Sequence, residues 1–136
     1  MQGVRDHRSK GEVVRVSVVI CTLNRADALV ATLECLRYQH HDDFEVIVVN
    51  GPSTDGTLEL LAPWRRFIRY RDNQEPNLSK SRNIGIRAST GELLAFIDDD
   101  ALPEPEWLTQ AIPAFDDPEV AGAGGIVFDH TGMGLQ

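Results

Sequence analysis

Three consecutive carboxylates, Asp98-Asp99-Asp100, stand directly after the apolar run Leu93-Leu94-Ala95-Phe96-Ile97. Adjacent carboxylates repel one another, so such a cluster costs stability unless cations or hydrogen-bond donors compensate. An all-oxygen donor set suits a hard divalent ion, Mg2+ or Mn2+. Mg2+ commonly takes only one or two protein carboxylates and completes its shell with substrate phosphates and water, so a short acidic motif at a strand end suffices. The plainer alternative is a solvated acidic turn capping the next helix, where Asp is favoured. A calcium EF-hand does not fit, because no glycine follows at the sharp-turn position and the flanks are a strand and a proline-bearing loop.

A second candidate is Asn77-Leu78-Ser79-Lys80-Ser81-Arg82-Asn83, at the start of a helical pattern. A helix N-terminus carries partial positive charge and free N–H groups that attract phosphate. Arg82 adds a fork suited to phosphate or carboxylate. It is expected to pair with the aspartates when the site is empty and with a nucleotide when it is filled; the alternative is an ordinary exposed helical face. Ser53-Thr54-Asp55-Gly56-Thr57 lacks the Gly-Lys-Ser/Thr ending of a phosphate loop. Its simplest role is a helix cap that steadies the preceding loop. His7, His40, His41 and His130 do not cluster at metal spacing, and His40-His41 reads as surface. Cys21 and Cys35 match no zinc or redox motif and read as small buried thiols. Trp64 and Trp107 are expected to pack.

The elements that position these groups alternate. Val16 to Cys21 reads as a strand buried on both faces, and Thr22-Leu23-Asn24 as a loop. Asn24 with Asp27 resembles a capping box before a helix reaching about Gln39. Phe44 to Val49 is a second buried strand, followed by the turn-rich Asn50 to Gly56. A helix from about Thr57 to Ala62 ends at Pro63, and Phe67 to Tyr70 is a third strand. Leu78 to Ala88 is helical, capped by Asn77 or Ser79. Glu92 to Ile97 is a strand, Pro105 to about Phe115 a helix, and Val120 to Phe128 strand-like but broken by Gly122, Gly124 and Gly125. Such alternation argues a three-layer α/β/α domain with a mostly parallel sheet. Ligands of open parallel sheets bind beyond the strands' carboxyl ends. Thr22 to Arg25, Asn50 to Ser53 and Asp98 to Asp100 therefore share one rim.

The 136 residues make one ordinary domain, read as a lead-in over 1–14 and a folded body over 15–136. A formal net charge of -8 disfavours nucleic acid and anionic membrane as partners overall, without excluding a local basic pocket. Met1 to Glu12 lacks the apolar core of a signal peptide, and no run approaches the ~20 apolar residues of a membrane span. Cytoplasmic placement is expected, at the inner face of a membrane where other parts of a longer protein anchor it.

Four segments in order resemble the donor-binding half of family 2 glycosyltransferases, inverting enzymes with the GT-A fold. Val16-Ser17-Val18-Val19-Ile20-Cys21-Thr22-Leu23-Asn24-Arg25 resembles the family's opening strand. Phe44 to Val49 with Ser53-Thr54-Asp55-Gly56-Thr57 resembles its second strand and turn. Leu78-Ser79-Lys80-Ser81-Arg82-Asn83-Ile84-Gly85 is similar to a third motif, and Gly91-Glu92 through Asp100 resembles the stretch that ends in the metal-binding DXD motif. The coverage runs from about Val16 to Val127.

The resemblance implies transfer of a sugar from a nucleoside diphosphate sugar to an acceptor hydroxyl, assisted by Mg2+ or Mn2+. It implies that Thr22, Asn24 and the second-strand end, Asn50, border the base, and that Arg82 lies near the diphosphate. It further implies that Asp98 and Asp99 serve the nucleotide, and that the metal is held by Asp100 together with Asp98. Two departures bear on this. Asn50-Gly51-Pro52 stands where the family often has Asp-Asp or Asp-Asn, and Asn can donate as well as accept hydrogen bonds. Cys21 replaces a frequent Pro. Family members continue well past the DXD motif, and that continuation completes the sheet and supplies the acceptor site and the general base, so the fold here is expected to be incomplete at its C-terminus. The last residues here, Thr131 to Gln136, read as a cut, so no catalytic base is identifiable and one is expected beyond Gln136. The acceptor, a saccharide or lipid-linked saccharide, is open, and so is whether this chain alone binds nucleotide diphosphate without turnover. A phosphoacceptor receiver domain or aspartyl phosphatase needs a carboxylate at the first strand's end, where this chain has Cys21-Thr22-Leu23-Asn24.

Overall fold

The computed structural model of the chain describes residues 13–129. The β-branched runs form strands β1 (Val16–Thr22), β2 (Phe44–Asn50), β3 (Ile68–Asp72) and β4 (Leu93–Phe96). They alternate with helices α1 (Ala26–Leu36), α2 (Thr57–Leu60), α3 (Leu78–Ala88) and α4 (Trp107–Ala111). Three-residue and five-residue 3-10 segments follow α2 and α4, at Ala62–Trp64 and Ile112–Asp116. The sheet order is β3-β2-β1-β4, and every pairing is parallel. Thr22 pairs with Asn50 and Asn50 with Asp72, which aligns three strand ends on one rim. The expected α/β/α architecture is the one observed.

Alternation along β1 and β2 sends side chains to two unequal apolar clusters. Val16, Val18, Ile20, Val46 and Val48 pack with Leu29, Leu33 and Leu36 of α1, with Trp64, and with Leu108 of α4. The 29, 33, 36 spacing is one helical stripe, and all three leucines are fully buried. Val19, Ile47 and Val49 meet Ile84 and Ala88 of α3 on the other face. Gly85 permits this second packing, since a Cβ there would overlap Val19 Cγ1. α3 therefore lies close against the sheet with its N-terminus at the rim.

Several expected boundaries differ. Asn24 and Asp27 form no capping box: Asn24 is left-handed (φ 54), and Arg25 occupies the N-cap position with no side-chain cap bond. The Asn24 amide oxygen is already taken by the Thr54 N–H at 2.7 Å, and Asp55 caps α1 instead by accepting the Ala26 N–H at 3.1 Å. α1 stops at Leu36, short of Gln39. Pro63 sits inside a 3-10 turn rather than ending a helix, because a proline early in a turn forfeits no hydrogen bond. Pro113 likewise turns the helix expected to reach Phe115 into α4 and a 3-10 segment. β3 begins one residue late and extends to Asp72, drawn on by its pairing with Asn50.

Val120 to Phe128 forms no strand; Ile126, Val127 and Phe128 are more than half exposed, and nothing lies near Gly122, Gly124 or Gly125. Leu94 and Phe96 of β4 are also exposed, at 42% and 46%. Val14, assigned to the lead-in, is buried, and its carbonyl bonds His41 Nε2 at 2.7 Å, so His41 is half-buried rather than surface. Cys21 and Cys35 are free and half-buried rather than fully buried. His7, His130, the lead-in over 1–12 and the tail Thr131 to Gln136 lie outside the described residues. No described helix is long and apolar enough to cross a membrane.

Candidate functional site at the carboxyl rim of the sheet

The aspartate triplet leaves β4 beside the end of β1, and the two strand ends are stitched together there. Thr22 Oγ1 donates to Asp99 Oδ2 at 2.8 Å, and both residues are buried. Thr32, on the second turn of α1 and fully buried, places its hydroxyl 3.0 Å from the Asp99 carbonyl and 2.8 Å from that of Ala101. Asp99 is thus held by its side chain from β1 and by its backbone from α1. Burial pushes the Asp99 carboxyl above the usual range, opposed by the Thr22 hydroxyl and the Arg25 charge and reinforced by Asp100 and Asp98. Asp98 and Asp100 are exposed.

The cation that meets the triplet is Arg25, not Arg82. Arg25 Nη1 lies 2.6 Å from Asp100 Oδ2 and 3.6 Å from Asp99 Oδ1. Topology explains the exchange: Arg25 follows the end of β1, the strand that pairs with β4. Arg82 is exposed on α3 and makes no ion pair among the described residues, though its positive charge is felt at the Cys21 thiol, which burial otherwise pushes up.

The first loop is tied to the second. The Asn24 N–H donates to Ser53 Oγ at 3.0 Å, and Ser53 Oγ donates to Asn50 Oδ1 at 2.6 Å. Asn50 Nδ2 donates to the Tyr70 hydroxyl at 3.2 Å. The buried Asn50 amide is therefore committed to the protein on both sides, and the neighbouring Gly51 lines the cavity in its place. The Ser53-to-Thr57 segment steadies the first loop as well as its own helix, since Asp55 also accepts the Thr57 N–H at 3.2 Å.

Across the rim, Asn77 caps α3 by accepting the Lys80 N–H at 2.9 Å. Buried Asn73 locks the approach to that cap, donating to the Asn77 carbonyl at 3.2 Å and to Ser81 Oγ at 2.9 Å. The Lys80 ammonium is paired with Glu75. Between α3 and the strand ends lies a cavity of about 430 Å³, lined by Thr22, Asn77, Ser81, Asp98, Asp99 and Asp100 among others. A second cavity of about 420 Å³ adjoins Asn24, Asp55 and Leu60, and Arg25 and Asp100 line both.

Among the described residues no three or more His, Cys, Asp or Glu side chains gather as a ready metal cage. The donors at the rim are carboxylate oxygens, which fits a hard divalent ion that draws its remaining ligands from phosphate and water. Sequence reasoning gave no role to Arg25, Thr32, Asn73 or Ser81. For Arg25 the signal was present, a cation one residue past a strand-end loop; Thr32 and Ser81 are ordinary hydroxyls in helical runs and carry none.

A parallel sheet flanked by helices, with its acidic strand end at the rim, is the arrangement of a GT-A-like α/β domain. The chain belongs to glycosyl transferase family 2, whose model matches residues 17–136. It is 28% identical over 120 residues to the glucosyl-dolichyl phosphate glucuronosyltransferase of Haloferax volcanii, covering 84% of this chain and 38% of that protein. It is 32% identical over 127 residues to the validoxylamine A glucosyltransferase of Streptomyces hygroscopicus subsp. jinggangensis, covering 89% and 29%. Among solved structures it resembles the mannosyltransferase PcManGT of Pyrobaculum calidifontis in complex with GDP-Man and Mn2+. That match has a TM-score of 0.76 and 28% identity, covering 81% of this chain and 34% of that one. It also resembles S. aureus TarS 1-349 in complex with UDP-GlcNAc, with a TM-score of 0.65 and 28% identity, covering 82% and 36%. The chain thus spans well under half the length of these relatives.

Proposed function

We propose that this chain is the donor-binding part of a glycosyltransferase that moves a sugar from a nucleoside diphosphate sugar to an acceptor hydroxyl. The observation that carries the reading is the aspartate triplet, fixed by Thr22 and Thr32 at the mouth of a cavity that also meets the capped N-terminus of α3. The relatives solved with GDP-Man and Mn2+ and with UDP-GlcNAc support a donor of this class.

In this reading Asp100, with Asp98, holds Mg2+ or Mn2+, which when bound supplies Lewis acidity toward the leaving diphosphate. Thr22 keeps the Asp99 carboxylate facing the cavity. Leu23 and Gly51 shape its β1–β2 wall, Asn24 lines the adjoining cavity, and Asn50 acts through Ser53 on that loop rather than by direct contact. The α3 N-terminus and Arg82 contribute positive potential for the departing diphosphate. No described carboxylate is assigned as the acceptor's base, so binding without turnover is the reading for the chain by itself.

Calorimetric titration of the chain with UDP and with GDP, each with and without Mn2+, tests this. Mn2+-dependent nucleotide binding is expected for the native chain and its loss for Asp100→Ala. Nucleotide affinity that ignores both Mn2+ and Asp100 would refute the assignment.

A further inference from the structure

The backbone around Arg25 is fastened on both sides while its side chain is not. The residue before it, Asn24, is held by Ser53 and Thr54, and the residue after it, Ala26, by Asp55. The Arg25 side chain is 55% exposed and its partner Asp100 54% exposed. Its guanidinium nevertheless contacts two of the three carboxylates. The other nearby cations are engaged elsewhere or apart: Lys80 pairs with Glu75, and Arg82 makes no ion pair among the described residues. Because Arg25 and Asp100 both line the two rim cavities, their contact is the partition between them.

We propose that Arg25 is a tethered stand-in for the divalent cation: it offsets part of the triplet's charge while the donor site is empty and must release Asp100 when the ion arrives. This rests on the donor-site reading above. The guanidinium and the ion compete for the same carboxylate, that of Asp100. The pair is solvent-exposed, and exposed ion pairs are weak, so the exchange costs little. A fixed backbone with a long free side chain confines the movement to the guanidinium. The consequence is a modest bias: the ion competes with Arg25 for Asp100, and a diphosphate that adds further ligands tips the exchange toward the ion.

Mn2+ binding to the 136-residue chain, read from the electron paramagnetic resonance of free Mn2+, tests this without any turnover. Arg25→Met is expected to bind Mn2+ alone about two- to fivefold more tightly than the native chain, the range an exposed ion pair accounts for. UDP should still raise Mn2+ affinity in the variant, because the ligands a diphosphate adds do not depend on Arg25. In an Asp100→Asn background Arg25→Met should bring no increase. Arg25→Gln is measured beside it, and thermal melts without metal separate loss of fold from loss of competition. If folded Arg25→Met and Arg25→Gln bind Mn2+ no more tightly than the native chain, while UDP still promotes Mn2+ binding, the stand-in role is overturned and the donor site survives. If no Mn2+ binds with or without nucleotide, the donor-site reading falls, and this inference with it.

Discussion

Replacing Glu45 by Gln should remove a pH-dependent share of stability whose size follows from the surroundings of one carboxylate. Glu45 lies near the start of β2, at the opposite end of the sheet from the aspartates, and is 9% exposed. Burial by itself would raise its pKa, but four donors outweigh it: Ser17 Oγ at 2.7 Å, Arg69 Nη1 at 2.6 Å, and the Thr90 N–H and hydroxyl at 2.7 and 2.8 Å. The result is a pKa of about 2, against an ordinary value of 4.5. At 1.36 kcal/mol per pH unit that interval is worth about 3 kcal/mol. The folded pKa is the lower one, so this stabilisation is complete above about pH 4.5 and is lost as the pH falls through about 2. Glu45→Gln lacks the charge at every pH. Urea unfolding followed by circular dichroism should therefore find the variant less stable by about 3 kcal/mol near neutrality. The gap should narrow steadily below pH 4.5 and nearly close at about 2. Other carboxylates titrate in both proteins and cancel in the difference. A gap that stays constant over this range would show that the donors do not act on the charge of Glu45.

Two further outcomes follow from contacts at either end of α3 and β1. Gly85→Ala forces a methyl into Val19 Cγ1, and should cost about 1–3 kcal/mol by urea denaturation, as overpacking does; an unchanged midpoint would mean that α3 moves away freely. Thr22→Val removes the hydroxyl that lowers the Asp99 pKa, so the Asp99 carboxyl should titrate still higher than in the native chain, as followed by carbon NMR of the side chain. An unmoved titration would dissociate the two residues.

The sheet and its rim were open to sequence reasoning because they follow from local rules. Runs such as Val16 to Ile20 and Phe44 to Val49 have few ways to be buried other than as central parallel strands. Parallel strands then carry the loops at 22–25, 50–53 and 98–100 to one edge. What stayed hidden depended on tertiary competition for a side chain. Asn24 had the spacing of a cap, yet Thr54, thirty residues away, claims its amide oxygen. Arg82 had the better motif, yet Arg25 has the better address, one residue from the β1 loop. Asn50 had a binding residue's position, and nothing in the sequence signalled that Ser53 and Tyr70 each engage its amide. The failure of Val120 to Phe128 to form a strand has a simpler source: the glycines offer no packing surface, and no described neighbour completes one.

The pairing pattern of β1 also sets the order in which the molecule can assemble. Its two ladder partners begin 28 and 77 positions downstream, at Phe44 and Leu93. The Thr22–Asp99 bond spans the same 77 positions. Connections of that length give a high contact order, and domains built from them refold over milliseconds to seconds rather than microseconds. On a growing polypeptide, Thr22, Arg25 and Thr32 are all synthesised before the aspartates they must meet. The β1–β2–β3 sheet can therefore form while the site is still missing its anionic half, which β4 brings when it joins β1.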